Sequence, residues 1–208
     1  MTGEKSMIDV REVAAFFDRL APSWDDDMVR DEAIIGTILD NAEVTKGKTV
    51  LDVACGTGVL IPDYLARGAA SVTAIDLSEQ MVEIARAKFA GQRNVTVLCA
   101  DAHSFAVGRK FDCIVIYNAF PHFAEPERLI GVLSDALNPG GTLTVAHGMS
   151  REMLLQHHKN VPAAVSSELM PADALAAVFA KTLRVTTALS DDRMYQVTGK
   201  KCGIDKRQ

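Results

Sequence analysis

Long apolar runs are missing from this chain. No stretch of its 208 residues approaches the roughly 18 apolar residues that read as a membrane span. Met1 to Val10 carries charges and no apolar core of signal length, so it does not read as a signal sequence. Cysteine is sparse, and Cys55, Cys99, Cys113 and Cys202 form no C-x-x-C pair. Redox and zinc-ribbon frameworks are therefore not expected, and reduced thiols in a cytoplasmic protein are. An excess of positive charge is also missing: 22 Lys and Arg stand against 27 Asp and Glu, a net charge of -5. Such a chain is not built to hold phosphate backbones, so nucleic acid is not expected as a partner. Internal repeats and low-complexity segments are absent as well.

What is present is ordinary globular material. The chain is 48% hydrophobic and 24% charged, a length and composition that fit one domain. Residues 9–20 have apolar positions at helical spacing, and Ala21-Pro22-Ser23-Trp24-Asp25-Asp26-Asp27 breaks that helix. A second helix is expected over about 28–41. Short apolar runs rich in Val and Ile then recur at 49–54, 71–75, 95–99, 112–117 and 142–146. They mostly lack alternation, which is the mark of strands buried on both faces. Helices are expected near 58–67, 78–90 and 126–137, with Asn138-Pro139-Gly140-Gly141 ending the last one. This β-α alternation implies right-handed crossovers and helices on both faces of a parallel sheet. Residues 148–171 are polar and read as a helix plus loop, followed by a short helix near 172–181. The runs 183–189 and 193–199 flank Ser190-Asp191-Asp192 and read as an edge hairpin.

The densest signal is Val50-Leu51-Asp52-Val53-Ala54-Cys55-Gly56-Thr57-Gly58-Val59-Leu60: strand, glycine loop, helix. Ligands of open α/β sheets bind outside the carboxyl ends of the strands. A dinucleotide needs G-x-G-x-x-G so that its pyrophosphate sits on a helix N-terminus. Here Gly56 and Gly58 fit, but the third position is Ile61. Asp52 just ahead of the loop opposes a diphosphate and suits an ammonium group, such as the methionine end of S-adenosylmethionine. Asp76 in Ala74-Ile75-Asp76-Leu77-Ser78 lies 18 residues beyond Gly58, where an acid accepts hydrogen bonds from ribose hydroxyls. NAD uses the same acid, so Asp76 alone does not discriminate. Asp101 in Cys99-Ala100-Asp101-Ala102 supplies a third carboxylate at a strand end, placed for an adenine amino group.

These pieces, with Phe111-Asp112-Cys113-Ile114-Val115 and Leu137-Asn138-Pro139-Gly140-Gly141, occur in the order and at the spacing of one family. The chain resembles the class I S-adenosylmethionine-dependent methyltransferases over about residues 45–146. Ala54 departs from the pattern, which often has a glycine there. The resemblance implies a doubly wound, Rossmann-like α/β fold with a seven-stranded sheet of order 3-2-1-4-5-7-6, the last-numbered strand antiparallel. It further implies that S-adenosylmethionine is the cofactor. Asp52, Ala54, Gly56, Thr57 and Gly58 would hold its methionine end, and Asp76 its ribose. Leu77, Met81 and Ala102 would lie beside the adenine, Asp101 would bind the adenine amino group, and Asn118 would face the methionine end and the acceptor.

The segment Phe16-Phe17-Asp18-Arg19-Leu20-Ala21-Pro22-Ser23-Trp24-Asp25 resembles the N-terminal part of small-molecule methyltransferases. The expectation is a helical lid over residues 1–44, with Phe17 and Trp24 covering the cofactor; simple packing of those aromatics is the alternative. The remaining 45–208 form the catalytic unit, with 148–171 setting substrate specificity. Asn118-Ala119-Phe120-Pro121-His122 follows strand four, and His147 ends strand five. Base-modifying DNA enzymes carry two prolines where Ala119 and Phe120 stand, so base flipping is disfavoured and a small organic acceptor is expected. Phe120 and His157 are candidate acceptor contacts. His122 and His147 are expected to converge on the acceptor, as pocket lining, as a general base, or with His157 or His158 as a metal site. Methyl transfer proceeds by in-line displacement in this reading. A nicotinamide-dependent oxidoreductase and a non-catalytic cofactor-binding protein are the rivals.

Overall fold

The structure, a computed structural model, describes residues 8–26, 28–105 and 108–203. Asp27 and the residues beyond 203, both touched by the sequence reading, lie outside the described residues. Seven strands form one sheet: β1 (Thr49–Val53), β2 (Ser71–Asp76), β3 (Val95–Cys99), β4 (Phe111–Tyr117), β5 (Leu137–His147), β6 (Arg184–Ser190) and β7 (Tyr195–Lys200). Their order is 3-2-1-4-5-7-6, as the resemblance implied. The first five run parallel, and β7 pairs antiparallel with both β5 and β6.

Eight helices accompany the sheet among the described residues: α1 (Val10–Leu20), α2 (Glu32–Asn41), α3 (Ile61–Ala66), α4 (Glu79–Lys88), α5 (Ala102–Phe105), α6 (Pro126–Asp135), α7 (Arg151–His157) and α8 (Ala172–Phe179). Side-chain caps decide several starts. Asp9, Asp31, Ser78 and Ser150 each accept from backbone N–H groups in the first turn of the helix that follows. The second helix accordingly begins after Asp31, not at Met28.

The central strands bury side chains on both faces. One face packs Val50, Val72, Cys113 and Val115 against Leu39, Tyr64 and Val82 of α2, α3 and α4. The other packs Leu51, Ile114, Leu143 and Val197 against Leu129, Leu133, Leu175 and Phe179 of α6 and α8. The fifth strand is longer than expected. Asn138-Pro139-Gly140-Gly141 belongs to β5, because Leu137 already pairs with Phe111 before an irregularity ahead of Cys113. Added side-chain volume at Gly141 meets the Asp112 carbonyl at 2.8 Å, so glycine is what lets β5 lie against β4 there.

Ile35 and Leu39 of α2 belong to the main core. Among the described residues before α2, α1, Trp24 and residues 28–30 line a cavity at the strand ends.

Candidate functional site

A cavity of about 620 Å³ opens at the carboxyl ends of β1, β2 and β4. That is the size class of a drug-sized ligand site. Its floor is the loop after β1. Ala54 is held at φ 56°, a left-handed backbone that L-residues rarely adopt, which explains why glycine is the commoner choice there. Gly56 and Gly58 also have positive φ. A Cβ on Gly58 meets Phe89 of the α4 C-cap at 2.5 Å, so Gly58 packs the loop onto that helix and does not face the cavity. Gly56 faces the cavity and the Trp24 indole nitrogen.

Asp52 lines this cavity yet is almost wholly buried, and its Oδ2 has no hydrogen-bond partner. Burial pushes its carboxyl up to about 7, and the charge of Asp76 adds to the rise; only the Tyr64 hydroxyl works against it. A dry carboxyl without a protein cation is costly, and it suits a cationic ligand. Asp76 is fixed more tightly. Gly56 N donates to its Oδ2 at 2.8 Å and Ser78 N to its Oδ1 at 2.9 Å. Burial raises its pKa against those backbone bonds. Leu77, Met81, Ala102 and Asn118 line the cavity as expected. Asn118 sits at φ 54° and accepts from Gly148 N at 2.9 Å, which tethers the end of β4 to the end of β5.

Other sequence candidates fall elsewhere. Thr57 is buried beside the cavity and donates its hydroxyl to Asp25 at 2.7 Å. Asp101 is not in the lining; its Oδ1 accepts from His103 N and caps α5. Phe120 packs into the core with Leu129 and Leu133 and does not reach the cavity. His147 is a correction as well. It is fully buried at the end of β5, beside its β7 partner Tyr195 and edge-on to that ring at 5.9 Å, and both ring nitrogens are without partners. Burial holds it at about 3, with His122 and His158 near enough to lower it further, so the ring is neutral and lies outside the cavity lining. Among the described residues no group of three His, Cys, Asp or Glu could hold a metal ion, so the set of His122, His147 and His157 does not assemble.

His122, His157 and His158 do line the cavity. The His122 Nδ1 donates to the Val165 carbonyl at 2.9 Å, because a carbonyl only accepts. Nε2 is thereby the bare acceptor. Phe17 stands edge-on to this ring at 4.9 Å, and His158 lies 5.3 Å away. Burial lowers His122 to about 4, so the imidazole is neutral near pH 7. The walls around it are apolar: Val13, Leu20, Phe123, Met149, Leu154 and Val161. The segment 148–171 contributes several of these through α7 and the turn after it.

Two carboxylates hold α1 and the following turn over the cavity. Asp18 accepts from Ser78 Oγ at 2.6 Å and from Gln80 N at 3.2 Å, at the start of α4. Asp25 pairs with Thr57 and with Lys88, which outweigh burial and keep its pKa low. Asp18, Asp25 and Tyr64 escaped sequence reasoning. Their roles arise from contacts between positions 12 to 60 residues apart in the chain.

Comparison with known proteins fits this geometry. The family described as a methyltransferase domain matches residues 50–141. A ubiquinone biosynthesis O-methyltransferase of Coxiella burnetii is 30% identical over 150 residues, 69% of this chain and 64% of that protein. The chain therefore spans just under two thirds of the length of that curated relative. The crystal structure of the [4+2]-cyclase SpnF superposes with a TM-score of 0.77 at 17% identity, covering 98% of this chain and all of that one. The N-methyltransferase NodS of Bradyrhizobium japonicum, in complex with S-adenosyl-L-homocysteine, gives 0.70 at 14% identity over 91% of this chain and 98% of that one. One fold thus carries a cyclase and a methyltransferase, and the chemistry has to be argued from the site. With its glycine loop, its ordered acids and this kinship, the chain carries a methyltransferase domain over residues 50–141, and its likenesses support the class I S-adenosylmethionine-dependent type.

Proposed function

We propose that this chain moves the methyl group of S-adenosylmethionine to a hydroxyl of a small, largely apolar acceptor. The observation that carries the reading is Asp52: a buried, unpartnered carboxyl oxygen on the floor of the cavity, beside a loop of bare backbone. It fits an ammonium group and opposes a diphosphate, which argues against the nicotinamide alternative. When bound, S-adenosylmethionine supplies an electrophilic methyl on a sulfonium.

The protein's part is placement and exclusion of water. Asp52 and the backbone of 54–57 hold the amino acid end, and Gly58 keeps that loop seated on α4. Asp76 accepts from the ribose hydroxyls with the lone pairs that Gly56 and Ser78 leave. Leu77, Met81 and Ala102 sandwich the adenine. Asn118 borders the acceptor. Phe17 and Trp24 of the lid shut the cavity from solvent, with Asp18 and Asp25 as latches.

On the acceptor side, Nε2 of His122 receives the hydrogen bond of the acceptor O–H. At about 4 its basicity is too low for it to deprotonate a hydroxyl beforehand. It takes the proton as the oxygen gains the methyl. His157 and the segment 148–171 shape the outer pocket. The name of the Coxiella relative, an O-methyltransferase, supports an oxygen acceptor.

The test is a screen of phenols, alcohols, thiols and amines with methyl-labelled cofactor. The expected result is label on an oxygen, lost at least tenfold in His122→Ala, the cost of about one hydrogen bond at the reacting atom. Label appearing only on sulfur or nitrogen, with His122→Ala fully active, contradicts the acceptor assignment.

A further inference from the structure

Tyr64 is unused by the account so far. It stands in α3, with no exposure at all, and its hydroxyl has no hydrogen-bond partner. The atom it faces is part of the carboxyl of Asp52, which is itself unpartnered at Oδ2. Two buried polar groups from adjacent elements are thus near enough for the hydroxyl to favour the ionised carboxyl, yet the hydroxyl and Oδ2 have no well-formed hydrogen bond. Native interiors rarely leave such groups unpaired, so the pair calls for an explanation.

We infer that Tyr64 is a positioning residue: its O–H donates to Asp52 Oδ2 when Asp52 ionises to hold a cationic amino group, and so sets where the cofactor's amino acid end is bound. The inference rests on the proposed role of Asp52. Its logic is a matter of donors. The other titratable groups facing Asp52 are Asp76 from β2 and Cys55 from the loop, and both disfavour a charge there. Asp63, next to Tyr64 on α3, is committed to Arg30. Tyr64 alone lowers the Asp52 pKa, while burial and Asp76 raise it. Among the described residues no other side chain donates to that carboxyl. It stays neutral throughout, since burial pushes its own pKa well up.

The experiment is calorimetric binding of S-adenosylhomocysteine between pH 5.5 and 8.5, for the wild-type chain, Tyr64→Phe and Asp52→Asn. Wild-type affinity is expected to fall as pH drops below about 7, where Asp52 takes up a proton. Tyr64→Phe removes one oxygen and keeps the ring. It should move that midpoint up by about one unit and weaken binding roughly tenfold at pH 7, the loss of one hydrogen bond to a charged group. Asp52→Asn should bind weakly with no midpoint. A stronger donor, 3,5-difluorotyrosine introduced at position 64, should move the midpoint down, which gives a test of opposite sign if Tyr64→Phe fails to fold. An unmoved midpoint in both Tyr64 variants, with binding intact, overturns the inference and leaves the reading of Asp52 standing. A wild-type chain that binds no S-adenosylhomocysteine at any pH defeats that reading and the inference together.

Discussion

Single residues carry the costs of this site. His147 shows the cleanest one, because two ring nitrogens are buried without partners. Its folded pKa of about 3 lies below the unfolded value of 6.5. The stability that depends on a neutral ring is therefore fully present above pH 6.5. It drains away as pH falls from 6.5 toward 3, because the unfolded chain binds the proton first. His147→Phe keeps the edge-on contact with Tyr195 and removes both unpaired nitrogens. It is expected to be about 1–2 kcal/mol more stable at pH 7, with a margin that widens on acidification. A melting series from pH 7.5 to 4.5 checks this, with turnover unchanged. Lost turnover at equal stability would restore His147 to the chemistry. The sequence could not separate His147 from His122, since both follow apolar strands. The difference is that β7 covers one and leaves the other open, a contact with residue 195 that no local pattern announces. Asp52, Ala54 and Asp76 were readable because each lies where an apolar strand run meets the loop that follows it.

At the scale of elements, α1 and its 3₁₀ turn form the part that moves in this account. α1 buries little beyond Val13, and its hold on the body comes largely from Asp18 and Asp25. Asp18 reaches the same Ser78 that caps α4 and follows the Asp76-Leu77 pair, so lid and ribose site share one anchor. Asp18→Ala is expected to raise the KM for S-adenosylmethionine about tenfold with a smaller change in kcat, and to speed amide exchange across 10–20. Trp24 emission should respond to S-adenosylhomocysteine in the wild type and less in the variant. Equal KM, exchange and emission in both proteins would leave α1 a fixed cover. The N-terminal helix was legible from the spacing of Val13, Phe17 and Leu20. Its latches were not, and neither was the membership of α2 in the main core, because amphipathic helices of either kind look alike in sequence.

At the scale of the molecule, the parallel sheet brings Asp52, Asp76 and Asn118 to one edge although they are far apart in the chain. The β-α rhythm revealed that a parallel sheet exists; the strand order came from family likeness. Among the described residues no helix is long and apolar enough to cross a membrane. The cavity's contents depend on the sign of charge at its floor, and that is the central claim. Isothermal titration of the intact chain at pH 8 with S-adenosylhomocysteine and, separately, with NAD tests it directly. The expected result is one saturable site for S-adenosylhomocysteine, weakened at least tenfold in Asp52→Asn, and no saturable site for NAD. Tight NAD binding that survives or improves in Asp52→Asn, with S-adenosylhomocysteine inert, would contradict the account.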